Sequence, residues 1–202
     1  MAIGGSVVES KKEIRKRILE KRNNLSKEEI KEKSQIISDK LFSLDEYKKA
    51  NNVLIFISYK SEVDTSLIIE RSIGDSKKVY APRVCGDDMR FFEIKAMADV
   101  KEGYKGIFEP EINEDKEYLT NYPDNYDESD LIIMPGAVID YEGNRIGYGK
   151  GFYDRYLSHG FRGIKLVTIF DLQLVPDNTF KADSNDVKVD CILTEMNYRN
   201  IF

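Results

Sequence analysis

Between residues 134 and 157 the chain carries five glycines, two arginines and a lysine, directly after the apolar run Leu131-Ile132-Ile133-Met134. Gly147, Gly149 and Gly151 lack Cβ atoms, so their backbone N–H groups can approach a ligand closely and the chain can visit positive φ. Arg145 can fork two donors onto a phosphate, whereas Lys150 acts as a point charge. Tyr153 and Asp154 follow where a helix begins, and a helix N-terminus favours an anion. This is the chemistry of gripping phosphate oxygens, and phosphoryl transfer asks a protein mostly to position reactants and neutralise their charge. The segment is not a common phosphate loop. The last spacing of GxGxxG is missing, and Gly151 stands where the Walker pattern needs Ser or Thr after its lysine.

The elements that must hold this segment are legible around it. Residues 11–24 are strong helix formers with Ile14 and Ile18 in register, giving a basic helix. Ser26 and Glu29 form a capping box, and Ile30, Ile37, Leu41 and Leu44 predict a second helix to about Leu44, packed on the first as an N-terminal helical hairpin. Residues 53–58, 78–82, 131–134, 166–170 and 189–194 read as strands, several of them near-continuous apolar runs of the kind buried on both faces. Asp64 or Thr65 caps a short helix, Gly86-Asp87-Asp88 is a hairpin turn into Met89–Ile94, and residues from Phe152 to Leu157 start another helix. Residues 98–130, acidic and tyrosine-rich, read as a surface excursion. The alternation predicts an α/β fold: an open, mainly parallel sheet with helices on both faces, Rossmann-like and three-layered.

Composition removes several function classes. With 202 residues the chain is read as one domain over 1–202, residues 1–9 being flexible. Its 31 basic and 36 acidic residues give a net charge of −5, which provides no nucleic-acid footprint. Cys85 and Cys191 have no CxxC spacing, and His159, placed where a helix ends, reads as a C-terminal cap, so a zinc site or disulfide framework is not expected. No export signal or membrane-length apolar stretch is found, which points to the cytoplasm, and the lack of a heptad seam favours a monomer.

Met134-Pro135-Gly136 with Asp140, followed by Gly143-Asn144-Arg145-Ile146-Gly147-Tyr148-Gly149-Lys150-Gly151-Phe152-Tyr153-Asp154, resembles the 5-formyltetrahydrofolate cyclo-ligases, or methenyltetrahydrofolate synthetases. The Lys11…Arg15 helix, Phe56-Ile57-Ser58 leading to Glu62, and the closing Asp186…Asp190-Cys191-Ile192-Leu193-Thr194-Glu195 agree in order and spacing. One departure is Asn185-Asp186, where many members carry His-Asp.

The resemblance implies an ATP- and Mg²⁺-dependent closure of 5-formyltetrahydrofolate, with or without a polyglutamate tail, to 5,10-methenyltetrahydrofolate, releasing ADP and phosphate. It assigns catalytic roles to Arg145, Lys150 and Tyr153 and nucleotide contacts to Lys11, Arg15, Arg145, Gly147, Gly149, Lys150, Gly151 and Tyr153. Substrate contacts fall on Ile57, Glu62, Tyr148, Gly149, Lys150, Gly151 and Phe152, and the metal ligands on Asp154 and Asp190, with Asp186 assisting. Read without the resemblance, Lys11 and Arg15 are two of many cations on a solvated helix face, Asp154 caps a helix, and the aromatics are core. Two other functions fit the same residues: a non-catalytic nucleotide or folate binding module, and an ATP-dependent enzyme of this fold acting on another substrate.

Overall fold

Leu54 turns to one face of a sheet while its neighbours Val53 and Ile55 turn to the other, and all three are fully buried. The same alternation recurs in Leu131–Met134, so the apolar runs are strands with both faces covered. A computed structural model describes residues 9–119 and 129–201. The expectation for residues 1–8, and for 120–128 within the acidic excursion, lies outside the described residues.

The helices are α1 (Lys11–Asn23), α2 (Lys27–Ser43), α3 (Asp45–Lys49), α4 (Ser66–Gly74) and α5 (Phe152–Ser158). The strands are β1 (Asn52–Ile55), β2 (Lys78–Cys85), β3 (Asp88–Ile94), β4 (Val100–Glu102), β5 (Phe108–Pro110), β6 (Leu131–Met134), β7 (Val138–Asp140), β8 (Arg145–Ile146), β9 (Ile164–Thr168), β10 (Leu174–Val175), β11 (Cys191–Leu193) and β12 (Tyr198–Asn200). The main sheet runs β12-β11-β9-β6-β1-β2-β3, with the five inner strands parallel and an antiparallel strand at each edge. A small sheet, β10-β7-β8, and a β4-β5 hairpin complete it. The predicted open, mainly parallel α/β sheet is therefore observed. Ile37 and Leu41 of α2 and Ile68 and Ile69 of α4 cover one face, and Tyr156 and Leu157 of α5 the other. Among the described residues no helix is long and apolar enough to cross a membrane.

Local chemistry explains the boundaries. Ser10 and Ser26 each accept from the N–H three residues on while Glu13 and Glu29 reach back, so both N-terminal helices begin in capping boxes. These helices are present, but their apolar faces part company. Ile14 and Ile18 of α1 pack on Val138, Ile146 and Val175 of the small sheet, while α2 packs on the main sheet. The small sheet, invisible as three short strands in the sequence, captures α1 in place of the expected hairpin.

The strand expected over 53–58 ends at Ile55 because the Thr65 hydroxyl donates to Phe56 O (2.9 Å) and accepts from Ser58 N (3.1 Å). Thr65 is the N-cap of α4 but makes no side-chain cap, and Asp64 instead accepts from Ser66 N at 2.9 Å. The Gly86-Asp87 turn joins β2 to β3 as expected, with Gly86 at φ 66°. His159 closes α5 through its backbone N–H.

Candidate active site

Beyond the carboxyl ends of β1 and β6, adjacent in the sheet, lies a cavity of about 450 Å³. Parallel sheets place ligands at this edge. Phe56 and Ile57 enter its wall as the chain leaves β1, and Pro135 enters as it leaves β6. The glycine-rich segment supplies another side. Asp140 accepts from Asn144 N (2.8 Å), Asn144 Nδ2 (2.7 Å) and Glu142 N (3.1 Å), which folds the turn between β7 and β8 and delivers Arg145 from β8. Gly149 (φ 91°) and Gly151 (φ 64°) adopt the left-handed conformation that their lack of a side chain permits, and α5 begins at Phe152.

Most of the residues singled out in the sequence converge here. Ile57, Glu62, Arg145, Gly147, Tyr148, Lys150, Gly151, Phe152, Tyr153 and Asp154 line the cavity. Gly149 does not, but it underlies Arg15: a Cβ at 149 would stand 3.1 Å from Arg15 Nη1, which also donates to Gly147 O at 3.4 Å. Lys11, one helical turn earlier on the same face, donates to Asp183 (2.7 Å) and Asp186 (2.5 Å). Burial alone would lower the Lys11 pKa, yet hydrogen bonds and charges from the two aspartates outweigh it and raise the value.

Glu62 and Tyr148 form the core of one end. The Tyr148 hydroxyl donates to Glu62 Oε1 and accepts from Arg22 Nη1 at 2.7 Å, while Glu62 Oε2 accepts from Tyr59 N at 2.9 Å. Burial pushes the Glu62 pKa above the ordinary carboxylate value, although the Tyr148 hydrogen bond and the Arg22 charge pull against it. Burial also raises the Tyr148 and Tyr153 hydroxyls, which therefore stay protonated at neutral pH.

Arg145, 5% exposed, donates to Asp154 Oδ1 at 3.0 Å and places its guanidinium 5.4 Å from the Tyr153 ring centroid. Among the described residues Arg145 Nε and the Tyr153 hydroxyl are buried without a hydrogen-bond partner. Buried polar atoms rarely go unsatisfied, so two of them on one cavity wall are what a polar ligand would complete. Lys150 is exposed, with no ion pair among the described residues.

Asp154 and Asp190 are not brought together. Asp190 precedes β11 and is held by Lys165 N (2.8 Å) and Nζ (2.7 Å) at the start of β9, at the amino edge of the parallel strands and away from the cavity. Asp186 lies nearer to Asp154, whose Oδ1 accepts from the adjoining Val187 N at 3.3 Å. Among the described residues no three His, Cys, Asp or Glu side chains cluster as a ready metal cage. Sequence reasoning also passed over Arg22, which a run of neighbouring cations concealed, and the wall formed by Tyr104, Lys105, Ile107 and Glu109, which it read as a surface excursion.

A profile of the 5-formyltetrahydrofolate cyclo-ligase family matches residues 7–195. The chain belongs to that family. Among cyclo-ligase relatives, the 5-formyltetrahydrofolate cyclo-ligase of Mus musculus is 28% identical over 200 residues, covering 94% of this chain and 96% of its own. The solved 5,10-methenyltetrahydrofolate synthetase of Aquifex aeolicus is 32% identical, superimposes with a TM-score of 0.78, and covers 95% of this chain and 92% of its own. The synthetase of Mycoplasma pneumoniae, 24% identical with a TM-score of 0.71 over 93% of this chain and 99% of its own, shares the fold.

Proposed function

We propose that this cyclo-ligase family member closes 5-formyltetrahydrofolate to 5,10-methenyltetrahydrofolate at the expense of ATP, as a monomeric, single-domain cytoplasmic enzyme with no nucleic-acid or membrane partner. The observation that carries the reading is one cavity lined both by the Glu62–Tyr148 pair and by the cationic glycine-rich segment, inside a chain whose family match spans residues 7–195. The Glu62–Tyr148 end suits a folate ring, whose N–H groups a carboxylate accepts while Ile57 packs on its face. The Gly147–Gly151 end, with Arg145 and Lys150, suits the triphosphate, and Arg15 and Lys11 extend the cationic track.

The chemistry follows from a poor leaving group. The formyl oxygen attacks the γ-phosphorus, forming a P–O bond as the bond to ADP breaks. N10 then attacks the formyl carbon, the carbon–oxygen bond breaks, and phosphate departs with the N10 proton. Arg145 and Lys150 offset charge on the equatorial oxygens during transfer, and the neutral Tyr153 hydroxyl donates toward the formyl or phosphate oxygen. Of the carboxylates expected for Mg²⁺, Asp154 lines the cavity and would offer the ion carboxylate oxygen, with Asp186 assisting from the segment next to Val187 and Asp190 standing at the other edge of the sheet. When bound, the ion supplies neutralising charge to the phosphates.

The test is to incubate the purified protein with 5-formyltetrahydrofolate and MgATP. Methenyl absorbance should appear in step with ADP. Binding of either ligand without turnover would leave a non-catalytic module, and turnover of ATP only with a different acceptor would leave another ligase.

A further inference from the structure

Glu109 is a charged residue only 5% exposed, and among the described residues no cation pairs with it. Its carboxylate is instead a staple between two backbone segments: Oε1 accepts from Val84 N of β2 at 3.1 Å, and Oε2 accepts from Tyr104 N at 3.3 Å. The turn it holds links β4 to β5. Gly103 N donates to Ile107 O at 2.8 Å and Ile107 N to Tyr104 O at 3.1 Å, while Lys105 (φ 55°) and Gly106 (φ 80°) are both left-handed. A non-glycine residue stays in that conformation where its surroundings impose it. Gly103 leaves the room for the carboxylate, since a Cβ there would lie 2.4 Å from Glu109 Oε2. Arg83 Nη1 adds a second tie from β2, to Pro110 O at 2.6 Å.

What the staple holds is a wall. Tyr104, Lys105 and Ile107 line the cavity, and the Tyr104 ring meets the Phe152 ring edge-on with centroids 6.4 Å apart. A Cβ on Gly106 would lie 3.7 Å from the Tyr59 hydroxyl, and Tyr59 N is the group that Glu62 accepts from. The wall therefore abuts the side chain of Tyr59, a residue that lines the same cavity and whose backbone N–H anchors Glu62.

We infer that Glu109 is a positioning residue for the folate half of the site: although it belongs to the cavity wall, its two carboxylate oxygens are taken up by Val84 N and Tyr104 N, and it acts by fixing the Tyr104–Ile107 wall against which the folate packs. This rests on the function proposed above. Replacing the carboxylate frees both N–H groups and lets the wall drift, and a displacement of about 1 Å at a binding wall is worth on the order of tenfold to hundredfold.

The experiment measures 5-formyltetrahydrofolate affinity by calorimetry, and KM for folate and for ATP by turnover, in the native chain, Glu109→Gln and Glu109→Ala. Glu109→Ala should weaken folate binding by about tenfold or more while KM for ATP moves by less than about twofold. Glu109→Gln, whose carbonyl oxygen still accepts one N–H, should recover most of the loss. Unchanged folate affinity in Glu109→Ala, or equal losses for both ligands, overturns the inference. If Glu109→Ala does not fold, Gly103→Ala, which drives a Cβ into the same carboxylate, and Tyr104→Ala must show the folate-selective loss, and its absence overturns it equally. A native chain that binds folate while these variants match it sinks this inference alone. A native chain that does not bind folate sinks the functional reading and this inference together.

Discussion

Arg145 and Lys150 carry the same charge into the cavity but stand in different surroundings. Arg145 is buried and bonded to Asp154, so its loss strips a partner from that carboxylate as well as a donor from the ligand. Lys150 is exposed and unpaired among the described residues, and Lys150→Ala isolates the ligand contact. Loss of one hydrogen bond to a charged group, about 1.5–3 kcal/mol, should raise KM for ATP on the order of tenfold to hundredfold. Folate affinity and thermal unfolding should stay near native, and matched losses for both ligands would place the nucleotide elsewhere. Glu62 carries a pH signature. Burial raises its pKa, so it keeps a proton at a pH where an ordinary glutamate, near 4.5, has lost it. Its contribution to stability thus falls as pH rises through that window, the reverse of a carboxylate held by an ion pair. Folate binding, which uses the ionised acceptor, should weaken as pH falls through a midpoint above 4.5, and Glu62→Gln should abolish that dependence. A titration of affinity with a midpoint at or below 4.5 counts against the assignment.

At the level of elements, close backbone approach sets the tolerances. Gly163 precedes β9, and a Cβ there would meet Asp130 O at 2.2 Å and the Phe161 ring at 2.7 Å. Gly163→Ala must therefore push apart the starts of β6 and β9, which pair from Leu131↔Ile164 onward. Overpacking of this kind costs about 1–3 kcal/mol, and chemical denaturation should show a lowered midpoint with unchanged slope. A midpoint at the native value would mean the sheet absorbs the methyl group. Elements that announce themselves locally were legible in the sequence: the capping boxes, the apolar runs of β1 and β6, and the Gly86-Asp87 turn. Elements held by distant partners were not. β8 is two residues long and exists because β7 pairs with it, and β4 and β5 owe their geometry to a buried glutamate with no periodic signal.

Over the whole molecule, the glycine-rich segment could be read as an anion site from residue type, Glu62 joined it only through the family resemblance, and the cavity contains both. Asp190 is named from its position in the family pattern, and only the sheet's direction shows that it stands at the opposite edge from Asp154, bonded to Lys165, while Asp186 shares Lys11 with Asp183. Long-range closure is what the sequence hides: Lys11 meets an aspartate 175 residues away, and α1 rests on strands from the second half of the chain. That last arrangement has a temporal corollary. During translation α1 leaves the ribosome before its docking surface, Val138, Ile146 and Val175, which is made more than a hundred residues later. Domains whose contacts span such separations close slowly. A nascent chain can thus pair β1 with β2 long before it can seat α1, so Arg15 settles on its glycine loop only after the chain has been made through Val175.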